Sequence, residues 1–442
     1  MRIDAQESAS EESSAKLTAP RTKEVAGKLV ERANAGDHGE IHELLVSVFQ
    51  APSRDAFLAA LEDPLYEPTD RLVVRRHGQI VAHAHVTKRE MKMGPLRVAA
   101  SGLNWLATSA EFRSRGFSGQ LVEAAERQMR EDGALLGVLQ TRIPHFFRRR
   151  GWAVCGRCSV SQAGVREVRG AVEQRVRRPV SRPVLIRPWR QVELPALMNI
   201  YEQRHAHAFG PWHRSEAHWR WLVTRPGGHQ FWVAIDGADR ADLVEQNAAI
   251  LGYAVTRDNH ILELITAEGH NGVSLALLDR ICQDALERDR REVLLHAPPR
   301  DPLHTIFTAA GGKHLHHESD AGVMPMVKLL DPSALIERLA PLFQQRLQAH
   351  ELTSCELGLV VDDQKYLLKV SANHVELSRD KIGRSYLSLN VAEFTRLLLG
   401  HQDLQQAFSQ SRIVASTRIA SDAATILFPP FSLWRSPLDD GK

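Results

Sequence analysis

Cysteine is scarce. The chain has four in 442 residues, Cys155, Cys158, Cys282 and Cys355, too few for the disulfide framework of a small secreted scaffold. Cys155-Gly-Arg-Cys158 has metal-ligand spacing, but no second CxxC or HxxxH pair accompanies it, so no metal site is expected. The pair does not open a helix after a strand, as a thioredoxin-type motif would. It lies inside the alternating run Trp152–Val160 and reads as ordinary reduced thiols in a cytoplasmic protein. Long apolar runs are lacking too, and none approaches the roughly 20 residues that span a bilayer. Net charge is nearly absent, 56 basic residues against 53 acidic, so no strong field steers the chain toward nucleic acid or membrane. Residues 1–36 begin MRIDAQESASEESSAK, without an apolar signal core, and are expected to form a disordered leader.

What is present suits a soluble globular chain: 43% apolar and 25% charged residues. The length calls for several domains. From about Asp37 to Val165 the pattern predicts helices at 41–49 and 54–62, strands at 71–76, 80–87 and 102–108, a helix at 118–131 and a buried strand at 135–141. Strand, helix and strand in that order make a right-handed crossover. A second copy follows over 191–330: Ala248–Val255 echoes Gln79–Val86, Ile261–Thr266 the next strand, Val273–Arg288 the helix and Glu292–His296 the apolar strand. Between them, 166–190 holds Arg175, Arg177, Arg178, Arg182, Arg187 and Arg190 among prolines. It reads as a linker and boundary strand rather than a nucleic-acid patch, because aromatic interleaving is missing. Residues 331–442 show a third pattern, a helix at 333–348 and then strands at 355–361 and 366–371 joined by Asp362-Asp363. The expected fold class is α/β with an α+β C-terminal part.

The chemistry concentrates in Leu103–Val122. A strand ends, a turn carries Arg113, Ser114, Arg115, Gly116, Phe117, Ser118 and Gly119, and a helix begins. Free N–H groups at a helix start, two arginines and bare glycine backbone suit a pyrophosphate. A basic loop capping a helix would look similar.

Arg113-Ser-Arg-Gly116-Phe-Ser118 resembles the signature of the GNAT acetyltransferase superfamily: Gln or Arg, two residues, Gly, one residue, then Gly or Ala. Here the last position is Ser. The closing aromatic and Gly-aromatic signature has its counterpart in Phe146-Phe147-Arg-Arg-Arg-Gly151-Trp152. The resemblance implies acetyl-coenzyme A as cofactor, the backbone of Trp105, Leu106 and Ala107 holding the thioester, and Arg113–Gly119 holding the phosphates. It implies a small-molecule amine or a protein lysine as acceptor, with self-association left open. A Tyr commonly serves as general acid four residues before the closing Gly. Phe147 stands there and has no proton to give, which leaves His145 as the nearest titratable candidate.

The layout of two such units and an α+β domain is similar to the enhanced-intracellular-survival family, whose third domain is sterol-carrier-like. In the second unit the matching turn reads Gly269-His-Asn-Gly272-Val-Ser274, without Arg at the first position, so cofactor is not expected there. In that family the chain's terminal carboxylate reaches the first unit's active site and accepts the amine proton. The resemblance offers Asp439, Asp440 or the carboxylate of Lys442, with residues 435–442 packed on the first unit; a solvated acidic tail is the plainer reading. A catalytically silent acyl-coenzyme A-binding module and a lipid carrier are the rival readings.

Overall fold

The computed structural model describes residues 30–176, 184–237, 249–317 and 322–440. Its first part contains β1 (Glu31–Arg32), α1 (His38–Phe49), α2 (Arg54–Leu61), β2 (Arg71–Arg76), β3 (Gln79–Met93), β4 (Leu96–Thr108), α3 (Phe117–Glu131), β5 (Leu136–Thr141), α4 (Pro144–Arg148) and β6 (Ala153–Val154). Helix α3 buries Phe117, Leu121, Val122, Ala125 and Met129 at helical spacing and ends at Asp132, with Gly133 at φ 78° reversing the chain. The short strand β1 pairs with β2, so the described end of the expected leader is part of a sheet. The leader's residues 1–29 lie outside the described residues.

Next come β7 (Cys158–Gly164), α5 (Val165–Val176), β8 (Val184–Pro188), α6 (Leu194–Arg204), β9 (Phe209–Trp212), α7 (Glu216–Thr224), β10 (Gln230–Asp236), β11 (Ile250–Arg257), β12 (His260–Thr266), α8 (Asn271–Glu287), β13 (Glu292–His296), α9 (His304–Ala309), β14 (Lys313–His317) and β15 (Met324–Leu329). Among the described residues of the segment read as linker, 166–176 are helix and 184–188 strand. Val165, Val168 and Val172 of α5 recur at helical spacing and pack on the core around α8. Arg177, Arg178 and Arg182 lie outside the described residues.

The two sheets exchange strands. The first has the order β1-β2-β3-β4-β5-β15-β6, with β9 pairing β3; the second runs β14-β7-β13-β12-β11-β10-β8. Strand β7 follows the first part in sequence yet pairs with β13 and β14, whereas β15 follows the second part and inserts between β5 and β6. The expected division at 165 and 330 thus cuts across both sheets. The exchange also breaks the run Trp152–Val160 into two strands in different sheets. Cys155-Gly-Arg-Cys158 spans the crossing, with Cys155 buried and Cys158 half-buried.

The third sheet, β18-β17-β16-β19-β20, is built from β16 (Ser354–Val361), β17 (Gln364–Ser371), β18 (Val375–Arg379), β19 (Tyr386–Leu389) and β20 (Ile413–Ala415). The helix expected at 333–348 is two, α10 (Pro332–Arg338) and α11 (Ala340–Ala349), because Pro341 cannot donate within a continuous helix. Helices α12 (Val391–Leu398), α13 (Leu404–Ser409) and α14 (Arg418–Leu427) complete the unit. Its core is continuous with the first sheet: Met91, Val98 and Leu136 join Leu335, Phe343 and Phe394 in one cluster. Among the described residues no helix is long and apolar enough to cross a membrane.

Candidate active site

The site begins where two parallel strands part. β4 pairs with β5 only from Ala100 to Gly102, opposite Leu136 to Val138. Beyond that point β4 stays with β3 and β5 stays with β15, so a cleft opens between them. At the cleft β4 carries a bulge: His83 faces Ala107 and His85 faces Asn104, leaving Trp105 and Leu106 opposite one residue. Trp105 sits at φ 50°, unusual for a bulky side chain. Its ring packs edge-on to Phe49, 5.6 Å between centroids.

A buried polar chain fixes this bulge. Arg71 Nη1 lies 3.3 Å from His83 Nε2, and a guanidinium can only donate, so the His83 proton sits on Nδ1. Nδ1 donates to the Trp105 carbonyl at 2.9 Å. Burial and the Arg71 charge push His83 down to about 3, keeping it neutral. Arg71 is itself buried, stacked on Phe57 and Tyr66 and bonded to the Tyr66 hydroxyl at 3.0 Å. Nothing in the sequence marks this chain. An alternating His-Ala-His in a strand is the one signal, and it fits a half-buried strand equally well.

The turn after β4 starts α3 without help from a side chain. Gly116 is the N-cap at φ 84°, and no side-chain bond caps the first N–H groups. Ser114 also adopts positive φ, 61°. Arg113 reaches back to the Thr108 carbonyl at 3.4 Å, and the Arg115 guanidinium lies over Phe112. Ser118, the departure from the usual signature, shares a hydrogen bond with Thr108 at 3.0 Å and ties the helix start to the strand end. Beside Gly119 lies the tip of the Arg150 side chain, 2.5 Å from where a Cβ would stand. That third arginine, stacked on Phe146 at 4.1 Å, joins the turn in space, although the sequence reading passed over it.

Phe147 is buried against Phe146 and Trp152. His145, on the same short helix, is exposed. The tail meets both sheets, with Arg435 over Trp212 of the first. Leu433 and Trp434 cover the first sheet's edge near Gly210, but residues 436–439 pack on the second. Ser436 donates to the Leu262 carbonyl at 3.0 Å, and Leu438 is buried among Leu197, Trp219 and Ile265. Asp439 accepts two bonds from Arg214, at 2.8 and 2.9 Å, and Arg214 is shared with Glu263 at 2.8 Å. Burial would raise Asp439, but Arg214 outweighs it and holds the carboxylate below its ordinary range. A carboxylate so committed is not poised to collect protons. Asp440 contributes its backbone to the closing turn, and Lys442 lies outside the described residues.

Comparison with known proteins covers the same part of the chain. Residues 30–155 match the model of the acetyltransferase (GNAT) domain. No curated protein matches by sequence. Among solved structures, a GCN5-related N-acetyltransferase from Kribbella flavida aligns over 93% of this chain and 97% of its own, at TM-score 0.69 and 16% identity. One from Anabaena variabilis aligns over 92% and 98%, at 0.70 and 15%. Eis1 from Mycobacterium abscessus aligns over 92% and 99%, at 0.60 and 17%. At these identities the likeness is one of fold. A GNAT acetyltransferase domain implies acyl transfer from an acyl-coenzyme A.

Proposed function

We propose that the protein is an N-acetyltransferase that moves an acetyl group from acetyl-coenzyme A to a primary amine, of a small molecule or a protein lysine. One observation carries the reading: β4 leaves β5 at a fixed bulge, directly before an uncapped, arginine-flanked helix start. The residues fit the group. Phosphates would meet the free N–H groups of Phe117, Ser118 and Gly119, with Arg113, Arg115 and Arg150 supplying charge and Ser114 and Gly116 shaping the turn. Backbone groups of Trp105, Leu106 and Ala107 would hold the thioester, which supplies the activated acetyl carbon. The His83–Trp105 bond keeps that backbone in place.

The acceptor nitrogen then bonds to the acetyl carbon as the carbon–sulfur bond breaks. The amine loses one proton and the departing sulfur gains one. Asp439 is committed to Arg214, so the amine proton leaves through water in this reading. His145 is the side chain left to serve the sulfur, and Phe147 shapes the wall. Residues 37–165, less the exchanged strand, form the catalytic unit. Residues 191–330 without β9 and β15, joined by β7 and α5, form a second unit without cofactor, and 331–442 a sterol-carrier-like domain.

Calorimetry with acetyl-coenzyme A, beside an assay of thiol release with amines, tests the reading. Binding by the native protein that survives Arg115→Ala with Gly116→Asp would falsify the assignment of the turn. A second reading, a silent acyl-coenzyme A-binding module, draws on Phe147 and on the paired Asp439. It expects binding with no thiol release by any amine.

A further inference from the structure

Strand β3 turns two histidines to one face of the first sheet. Ala82, Ala84 and Val86 pack with α3, so by strand alternation His83 and His85 project to the other side, where α1 and α2 lie. Trp105 packs on that side too, against the cluster of Ile41, Leu45 and Phe57.

The two rings stand on one wall and differ in their bonds. His83 uses both nitrogens, one with Arg71 and one with the Trp105 carbonyl. His85 is only 7% exposed, yet among the described residues neither of its ring nitrogens has a hydrogen-bond partner. Neither nitrogen is sealed from solvent, so the small open part of the residue includes them. The ring is steadied by an edge-on contact with Tyr66, 5.7 Å between centroids. The Tyr66 hydroxyl is engaged elsewhere, with His38 at 2.7 Å and Arg71 at 3.0 Å.

In register, His85 lies between Arg71 on β2 and Asn104 on β4. Arg71 is buried, whereas Asn104 is exposed, its amide donating to Thr87 at 3.2 Å. The way in to His85 therefore runs past Asn104, the residue before Trp105 and the bulge. Packing gives no reason for an imidazole here. An apolar side chain would fill the place without leaving buried polar atoms unbonded. Burial, and then Arg71, His83 and Arg89 beside it, hold His85 well below the ordinary histidine range, so the ring is neutral and keeps a lone pair to offer.

We infer that His85 is the general base of the acyl transfer, taking the proton of the acceptor amine directly or through one water. The inference rests on the acyl-transfer reading and gives a destination to the proton that leaves through water there. As the nitrogen bonds to the acetyl carbon and the carbon–sulfur bond breaks, the nitrogen becomes acidic and its proton passes to the imidazole. The departing sulfur takes a separate proton, and the imidazolium releases its own to solvent before the next turnover. A ring held neutral does not compete for protons before the attack.

The test uses the full-length protein with acetyl-coenzyme A and lysine, phenethylamine or cadaverine. The acetylated amine is measured by chromatography and cofactor affinity by calorimetry. His85→Gln keeps a polar side chain but cannot take a proton, so kcat should fall about 10²-fold or more, the scale of a lost general base, with acetyl-coenzyme A affinity unchanged. His85→Ala should fall as far and recover about tenfold or more with added imidazole. Pyrrole, which has the same shape and no basic nitrogen, should not rescue it. In the native protein diethyl pyrocarbonate should modify His85 and spare His83, read by peptide mass spectrometry. A glutamine variant at full rate overturns the inference, as does rescue by pyrrole equal to that by imidazole, no rescue at all, or a His85 the reagent never reaches. Native protein that binds acetyl-coenzyme A and acetylates none of these amines counts against the acyl-transfer reading instead, and the reagent still decides whether His85 is open.

Discussion

The two sheets solve one geometric problem in opposite ways. In each, a strand runs briefly parallel to its neighbour and then departs. β4 holds β5 over Ala100–Gly102, and β12 holds β13 over His260 and Ile261. Each departing strand is bulged, at Trp105 and Leu106 in the first and at Leu262 in the second. In the first, the bulge carbonyl is bonded by His83 from the adjacent strand. In the second, the Leu262 carbonyl is bonded by Ser436, and the tail fills the space with Leu438 and Asp439. Helix α3 starts after Arg113 and Arg115, whereas α8 starts after Gly269 and His270. Under the proposed function, the first parting strand pair serves as the ligand cleft because its turn carries charge, and the second does not because the tail packs into its gap.

The comparison breaks most easily at the turn. Coenzyme A should bind once per chain. Arg115→Ala with Gly116→Asp should weaken it by about 10²-fold or more, whereas His270→Asp should change nothing; calorimetric affinity and stoichiometry decide. A stoichiometry of two would erase the distinction. A second break lies in the filled gap. Asp439→Ala leaves Arg214 short of one buried partner, a loss on the order of 3–5 kcal/mol, read as a lower denaturation midpoint. If stability held and turnover alone fell, the tail would be serving chemistry.

Acid should act on both regions. His83 and His205 are pushed down to about 3, and His218 and His229 to about 4, in each case chiefly by burial. The unfolded chain, with histidines near 6.5, binds more protons below that pH than the folded one. Stability is therefore full above pH 6.5 and falls as pH drops toward 3. A thermal midpoint flat from pH 7 to 4 would refute this.

His83→Leu should lower kcat about tenfold by loosening the bulge, with coenzyme A affinity little changed. Loss of affinity alone would mean that the bond merely supports the fold. Smallest of all, Ser118→Ala should cost about 1 kcal/mol of stability or coenzyme A binding, one hydrogen bond to Thr108.

Local features were legible in the sequence. The strand before Arg113, the turn and α3 follow from periodicity and from an Arg-Gly cluster within 20 residues. What escaped depends on distant partners. Nothing local tells Cys158–Gly164 to pair with Glu292–His296, because the alternation serves either sheet. Arg150 reaches Gly119 only through the fold, and His83 finds Trp105 only because the strand is bulged. The tail's acidity was visible, but its partner Arg214 lies 225 residues away. The helix at 165–176 was hidden by the arginines and prolines that follow it.

Exchange of β7 and β15 makes the two halves mutually dependent. Cut between residues 176 and 184, the chain yields an N-terminal piece carrying a strand of someone else's sheet and a C-terminal piece holding the strand its partner needs. Neither is a domain that can be lifted out. Each should be insoluble alone and regain the native state when the two are refolded together, and the intact chain should melt as one unit.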